Sequence, residues 1–254
     1  MPTTATSSPA EPAEPLAPEA FRSALEEKGT QYYDTHPFHR RMHAGDLDQE
    51  EIRSWVANRF YYQRSIPHKD AAFMSNCPDR QVRRVWIQRI IDHDGRGDDP
   101  GGIEKWLRLG DAVGLQRSDL EDGRHLLPGV RFAVDAYVDF ARREHWLDTV
   151  AASLTELFAP DLMSTRLDAF EEHYPWVDAA GLEYFRARLH QAPRDAEFAL
   201  DLVVDRCRTR ARQERALEAL SFKCDVLWAR LDTIDYASRV DGDRDGELEQ
   251  VVRQ

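Results

Sequence analysis

The sequence predicts an all-α protein folded as a compact helical bundle. Apolar residues recur at spacings of three and four along most of the chain, which is the period of an amphipathic helix. Glycine and proline fall mostly between these segments, strand-like alternation is scarce, and no βαβ unit is evident. We therefore predict a bundle of about seven helices, and helical segments lie near 19–29, 48–66, 79–93, 102–113, 129–156, 161–170, 179–206 and 208–237.

The chain has 254 residues, enough for one domain with a sizeable core. Residues 1–18 are rich in Pro, Ala, Thr, Ser and Glu, so we expect a disordered leader. Residues 19–240 carry no linker and are predicted to form a single helical catalytic domain, followed by a polar tail at 241–254. The leader lacks a basic start and an apolar run, so a cytoplasmic location is expected.

Composition excludes several classes of protein. The net charge of −12 argues against nucleic acid and anionic membranes as partners. It does not exclude a small anionic ligand, because binding of such a ligand depends on the local charge of its pocket. No stretch approaches the roughly 20 apolar residues of a membrane span. Cys77, Cys207 and Cys224 are widely spaced and odd in number, which favours free thiols over disulfides or a zinc site.

The second predicted helix carries polar residues where core residues belong. It opens at Asp46 or Asp48, both good N-caps, and its buried face is defined by Ile52, Trp55, Val56 and Phe60. Arg59 and Gln63 project onto the centre of that face. A buried Arg either meets an internal carboxylate, which is the commoner case, or faces a cavity and binds an anionic ligand. The pattern leaves both interpretations open.

Projecting polar residues onto the apolar face of a helix also selects residues on other helices. His93 lies at the centre of the face formed by Val82, Val85, Trp86 and Ile90, with a carboxylate on either side in sequence. A lone His there is more often a satisfied core residue, but it could act as an acid or base. Arg89 projects to the same centre, which shows that the test also detects structural ion pairs.

Three further helices offer cationic or phenolic groups. Tyr137 lies centrally among apolar residues, and its simplest interpretation is a core tyrosine. Lys223 borders the apolar stripe of the last helix, and its simplest interpretation is a lysine at the rim of the core. Tyr184 and Arg188 share a face beside an apolar stripe. Together these groups predict a positive cavity for a small, polyanionic and aromatic ligand.

Several kinds of chemistry are not supported by motifs. The chain has no P-loop, GxGxxG, GxSxG or HExxH, and no paired Glu-x-x-His sets of a di-iron bundle. His36, His39 and His43 could suggest haem or a metal. Their His-Pro context and surface polarity favour a turn followed by a short amphipathic segment.

Six long motifs resemble those of the pyrroloquinoline-quinone (PQQ) synthases. The motifs are WVANRFYYQRSIPHKDA (55–71), RIIDHDG (89–95), GGIEKWLRLG (101–110), LPGVRFAVDAY (127–137), SLTELFAP (153–160) and HYPW (173–176). The similarity extends from about 21 to 236. It implies a haem-oxygenase-like fold that binds no haem and no metal, a homodimer, and the last step of PQQ synthesis. That step closes a ring and oxidises a bicyclic precursor with O2 as the acceptor, releasing H2O2.

The resemblance also implies roles for individual residues. His93 matches the main acid–base histidine, and Tyr184 and Arg188 match part of the group that positions oxygen. The residues that match substrate-binding positions are Tyr32, Arg59, Gln63, Lys69, Tyr137, Arg166 and Lys223. Arg166 enters only through the resemblance, and so does Lys69, which the helical pattern could not place after Pro67.

Two positions depart from the family pattern. Tyr33, at a substrate-binding position, and Met163, in the oxygen-site group, stand where a histidine is expected. A Tyr still donates a hydrogen bond, whereas Met cannot replace an imidazole. These departures motivate one alternative, a PQQ-binding or carrier relative without efficient turnover. A helical hydrolase of the thiaminase type would need a cysteine nucleophile, and none of the three cysteines has an acid–base setting.

Overall fold

The computed structural model describes residues 13–252, with the side chains of 241–252 excepted, and this part is helical with no β-strand. The all-α prediction is confirmed. Eleven α-helices are described, more than the seven or so expected. They are α1 (Pro18–Glu26), α2 (Pro37–Ala44), α3 (Gln49–Asn76), α4 (Arg80–Asp94), α5 (Gly101–Ala112), α6 (Arg117–Glu121), α7 (Pro128–Arg143), α8 (Trp146–Ala152), α9 (Ala159–His173), α10 (Glu183–Arg206) and α11 (Arg210–Val252).

The central helix, α3, begins with a capping box. Asp48 accepts a hydrogen bond from the backbone N–H of Glu51 at 2.8 Å, and the Glu51 carboxylate accepts one from the Asp48 N–H at 3.0 Å. These contacts satisfy backbone donors that would otherwise be orphaned at the helix start. Of the two predicted caps, Asp48 is therefore the one used.

The predicted end of this helix near residue 66 is wrong. α3 continues through Pro67 to Asn76. Proline removes one helical hydrogen bond at a cost of about 3 kcal/mol in a helix interior. Ile66 and Phe73 are buried on either side of the proline, so packing holds the segment helical. The continuation places Lys69 and Asp70 in the core.

The segment predicted as one helix over 129–156 is three elements. α7 ends at Arg143, and His145 then caps α8 by accepting a hydrogen bond from the Leu147 N–H at 3.2 Å. A 3-10 helix, Ser153–Phe158, follows directly. The apolar period runs on across these breaks, so periodicity alone could not reveal them. Three other 3-10 helices are Glu27–Gln31, Tyr33–Thr35 and Ala179–Leu182.

The core consists of two apolar clusters that flank α3. One contains Trp55, Trp106 and Phe185, and the other contains Phe73 and Trp86. α3 packs against α4, α5 and α7, while α11 packs against α7 and α8. The polar centre described below lies where these helices converge.

The predicted leader and tail fall largely outside the described part of the chain. Residues 1–12 and 253–254 lie outside it, as do the side chains of 241–252, so both remain predictions. Among the described residues no helix is long and apolar enough to cross a membrane.

Candidate active site

A small cavity of about 40 Å³ lies in the middle of the bundle. Its walls come from the segment before α2, from the 3-10 helix Ser153–Phe158, and from α3, α4, α9, α10 and α11. The residues that line it are Tyr32, Tyr33, Arg59, Tyr62, Ile66, His93, Thr155, Glu156, Ala159, Met163, Tyr184, Arg188 and Leu227. Six of the predicted site residues, together with Met163, therefore line one cavity.

Arg59 faces this cavity without a carboxylate partner among the described residues. It donates to the Gln63 Oε1 at 3.1 Å and to the Tyr184 hydroxyl at 3.5 Å. The groups that act most strongly on it are tyrosines, not acids. The internal ion pair that the sequence made the commoner interpretation is thus wrong. Gln63 is also fully buried, and its Nε2 has no partner in the described part of the chain.

Two other buried arginines also lack a carboxylate partner among the described residues, although neither lines the cavity. Arg166 is 1% exposed, donates to His39 Nε2 at 3.0 Å, and keeps an unpartnered Nε. Arg230 is equally buried, and its Nε and Nη1 have no partner within residues 13–240. Burial lowers the pKa of both, and Arg59 lowers it further through like-charge repulsion. The centre therefore holds more positive charge than the surrounding carboxylates balance.

Lys223 lies deep in the core, so the simplest interpretation, a lysine at the rim of the core, is wrong. Its ammonium donates to the Tyr62 hydroxyl at 2.8 Å and lies 3.8 Å from the centroid of the Tyr137 ring. Burial, and then the charges of Arg230 and other neighbouring cations, lower its pKa well below the ordinary value. An anion bound here would reverse that shift.

Lys69 and Arg89 form a buried ion-pair network beside the cavity. Lys69 bonds to Asp70, which also accepts from the Trp86 indole at 2.7 Å. Arg89 pairs with Asp195 at 2.9 Å, so its interpretation as a structural pair is confirmed. Lys69 is thus already partnered, unlike the arginines above, and it does not line the cavity.

His93 has the geometry of a proton acceptor. Its Nδ1 lies 2.8 Å from the carbonyl oxygen of Arg89. A carbonyl can only accept, so Nδ1 carries the hydrogen and Nε2 is left unprotonated. Burial and then Arg188 lower the pKa of His93 to about 4, which keeps the ring neutral at pH 7.

Arg188 and Glu156 form an ion pair at the cavity wall. Arg188 bonds to Glu156, and Arg89 approaches the other oxygen of this carboxylate at 3.3 Å. Burial alone would raise the pKa of the Glu156 carboxyl, but Arg188 and Arg89 hold this pKa at about 2. Tyr184 lies one turn before Arg188 on α10, with its ring 4.9 Å from that of Trp106.

The two positions that depart from the family pattern both line the cavity. Tyr33 packs edge-on against Tyr32, with ring centroids 4.7 Å apart. Met163 accepts a long contact from Arg166 Nη1 at 3.9 Å. His39, behind Tyr33, donates from Nδ1 to the Tyr33 carbonyl at 2.9 Å and accepts from Arg166 at Nε2.

Two of the three N-terminal histidines, His36 and His39, make structural contacts. His36 caps α2 and lies 3.0 Å from Asp232, while His39 holds Arg166. The predicted turn and short helix are present, but the expected surface position is wrong, because both side chains are buried. Among the described residues no group of His, Cys, Asp and Glu is arranged to hold a metal.

The three cysteines are free, as predicted, and all three are buried. Burial raises the pKa of Cys207 and of Cys224 to about 11, so both thiols are protonated and poor nucleophiles at neutral pH. None of the three lines the cavity.

Tyr137 is buried under this centre, with its hydroxyl 3.5 Å from the Ser153 hydroxyl. Sequence reasoning did not select Tyr62, Glu156 or Arg230. Arg230 could have been found, since it lies three residues after Leu227 and four before Ile234, on the buried face of α11. Glu156 lies in a 3-10 helix, where a 3.6-residue period gives no signal.

Comparison with known proteins is consistent with this architecture. A domain of unknown function with a haem-oxygenase-like fold from Shewanella denitrificans superposes with a TM-score of 0.73 at 10% identity, covering 89% of this chain and 95% of that one. A TenA homologue from Pseudomonas syringae gives 0.66 at 11% identity, covering 89% and 98%. These likenesses establish the fold.

Sequence comparison is more specific. The pyrroloquinoline-quinone synthase of Cronobacter sakazakii is 55% identical over 226 residues, which is 89% of this chain and 90% of that protein. The protein of the same name from Pseudomonas aeruginosa is 57% identical over 217 residues, 85% and 87% of the two chains. The TENA/THI-4/PQQC family model matches residues 22–233. The chain therefore belongs to the TENA/THI-4/PQQC family and groups within it with the pyrroloquinoline-quinone synthases.

Proposed function

We propose that the protein is a pyrroloquinoline-quinone synthase, which closes the last ring of the bicyclic PQQ precursor and oxidises it to PQQ. The relatives of this name are more than half identical to it over most of both chains. The observation that carries the proposal is the set of buried guanidinium groups without carboxylate partners in the described chain, Arg59, Arg166 and Arg230. PQQ and its precursor bear several carboxylates, and these supply the missing negative charge.

The proposed binding roles follow from this charge balance. Arg59 and Arg166 hold carboxylates, because a guanidinium offers two parallel donors to such a group. Gln63 and Lys223 donate to the substrate from deeper in the core, and Tyr32, Tyr33 and Tyr137 supply phenolic donors. Lys69 joins them if the ligand competes with Asp70 for its ammonium.

The proposed chemistry needs a base and a dry, positive pocket. His93 removes a proton from the substrate through its free Nε2, and the surrounding cations stabilise the anion that results. An electron-rich anionic ring system can pass electrons directly to O2, which is reduced to H2O2. Tyr184 and Arg188 flank the place where O2 would meet the ring. We therefore propose that no metal or organic cofactor takes part.

The cavity must enlarge to admit such a ligand. Sites for molecules of this size have volumes of about 300–1,000 Å³, whereas the cavity here measures about 40 Å³. Aromatic side chains occupy much of the pocket wall, so ring displacement is one way to make room. Substrate binding is therefore coupled to a rearrangement of this wall.

A carrier protein that binds PQQ without turnover is the alternative. It is favoured by Met163, which lines the cavity where a histidine is expected and offers no exchangeable proton. An assay in which the purified protein is mixed with the PQQ precursor under air distinguishes the two functions. A synthase forms PQQ over many turnovers with matching O2 consumption. A carrier binds added PQQ tightly but leaves the precursor unchanged.

Binding of a polyanion should raise the pKa of His93. In the empty protein, burial and Arg188 lower this pKa from 6.5 to about 4, so the ring remains neutral as the pH falls through 6.5 and gains a proton only near 4. Carboxylates of the ligand favour the imidazolium and move the titration to higher pH. NMR titration of the His93 ring, assigned with His93→Gln, should show the midpoint rise when PQQ is added. A midpoint near 6.5 in the free protein would contradict the account.

We also propose that the protein is a homodimer, with an apolar groove between α7 and α11 as the contact. Phe132 in this groove is 80% exposed, and Phe140 stacks on Phe222 with ring centroids 4.6 Å apart. Charges of both signs border it, including Arg131 and Asp135. A two-fold axis sets the patch against itself, so these charges can pair across the interface.

Phe132→Asp should therefore shift the protein from dimer to monomer. Sedimentation velocity at several concentrations measures this change, and circular dichroism checks that the fold is kept. Tyr236→Asp, which changes a similarly exposed aromatic residue outside this groove, serves as the matched control and should leave the dimer intact. A Phe132→Asp protein that sediments as the wild type does would contradict this choice of surface.

A further inference from the structure

Arg230 is a buried cation that neither the motifs nor the family resemblance assigns to any role. It is 1% exposed, and its Nε and Nη1 have no hydrogen-bond partner among the described residues. Burial and then Arg59 lower its pKa to about 10, so it stays charged at neutral pH. An unpaired buried charge is costly for folding, and its retention points to a ligand that the empty protein lacks.

The neighbours of Arg230 are cavity-lining aromatic rings and other cations. Its Cζ lies 4.8 Å from the centroid of the Tyr62 ring and 5.8 Å from that of Tyr33. The same Tyr62 ring is approached by Arg59 Cζ at 4.5 Å and by Lys223 Nζ at 4.1 Å. Three cations thus surround one ring. Cation–π contacts offset part of their repulsion but provide no negative charge.

We propose that Arg230 is a further substrate-binding residue, which binds an anionic oxygen of the ligand together with Arg59 and Lys223. This inference rests on the proposed function and adds a residue to it. Tyr33 and Tyr62 line the cavity and Arg230 packs against both, so displacement of these rings as the cavity enlarges brings Nε and Nη1 to the ligand. The unpaired Nε and Nη1 leave donors of this planar group available to an anionic oxygen.

The residue at position 33 fits this arrangement. A histidine beside Arg230 could take up a proton and add a further positive charge to the cluster. A phenol instead can only lose one. Although burial raises it, Arg230, Arg166 and Arg59 together lower the pKa of Tyr33 below its ordinary value. Tyr33 is therefore compatible with an extra arginine where an imidazole would oppose it.

Arg230→Met tests the proposal, because Met fills a similar volume without charge. Its Kd for PQQ should rise by about tenfold to hundredfold, the usual loss for a charged hydrogen bond. The Kd for a methyl ester of PQQ, which lacks the carboxylate charges, should change far less. The melting temperature of the empty variant should rise by roughly a few degrees, since an unpaired buried charge has been removed. A purely structural role predicts a lower melting temperature instead.

Arg215→Met is the matched control. Arg215 lies on the same helix, is half-exposed, and pairs with Glu144 at 2.9 Å. Its replacement removes the same charge and should leave both Kd values unchanged. The inference is overturned if Arg230→Met binds PQQ as tightly as the wild type. It is also overturned if the Kd for the methyl ester rises as much as the Kd for PQQ. A wild type that does not bind PQQ contradicts the proposed function itself, and this inference with it.

Discussion

His93→Ala should lower kcat by about 10²- to 10⁴-fold, the usual contribution of a positioned acid or base. The Nδ1–H of His93 is held by the Arg89 carbonyl at 2.8 Å, which directs the free Nε2 toward the cavity. Alanine removes the proton acceptor but leaves the cations that bind the carboxylates. The Kd for PQQ should therefore change little while turnover collapses.

Steady-state kinetics with the precursor and direct PQQ titration separate these two effects. His190→Ala is the control, because His190 is exposed on α10 and lies away from the cavity wall. Added imidazole should restore part of the lost rate in His93→Ala, which a structural defect would not allow. A kcat within a few-fold of the wild type would remove His93 from the acid–base role.

Arg59→Ala should raise the Kd for PQQ by about tenfold to hundredfold. Its guanidinium contacts Gln63 and Tyr184 and has no carboxylate partner in the described chain, so its charge is available to the ligand. The fold should tolerate the change, because the substitution also relieves repulsion from Arg166 and Arg230. The expected result is weak binding by a well-folded protein.

Isothermal titration with PQQ, paired with thermal denaturation of the empty protein, measures both quantities. Arg64→Ala serves as the control: Arg64 lies on the same helix but bonds to the Glu121 carbonyl at 2.7 Å on the exposed side. If Arg59→Ala melts far below the wild type and Arg64→Ala does not, Arg59 is a structural residue and the binding role fails.

Helix periodicity correctly predicted which polar residues of α3 and α4 are buried. Arg59 and Gln63 are buried at the centre of the predicted face, and so are Arg89 and His93 on the next helix. The period specifies which face a residue occupies, because that depends only on the 3.6-residue repeat. Fold class followed from the same signal.

Periodicity could not reveal what each polar group meets. Arg89 and Arg59 gave the same sequence signal, yet Arg89 pairs with Asp195 across the bundle and Arg59 has no carboxylate partner among the described residues. The difference lies in a residue more than a hundred positions away. Lys223 was placed at the rim because the pattern cannot tell how close α3 and α7 come to α11.

The break after α7 and the passage of α3 through Pro67 were missed for a related reason. Local rules placed a helix end at proline and none at His145, but tertiary packing decided both. The second error mattered for function. The predicted helix ended before Lys69, whereas the observed helix contains Lys69 and positions it against Asp70 in the core.

The most direct test of the central claim is O2 uptake by the purified protein after thorough removal of metal ions by chelation. The account predicts that the wild type converts the bicyclic precursor to PQQ, consumes O2 and releases H2O2 at a rate that added iron, copper or zinc does not change. A metal-depleted protein that binds PQQ but consumes O2 only when a metal is restored would contradict it.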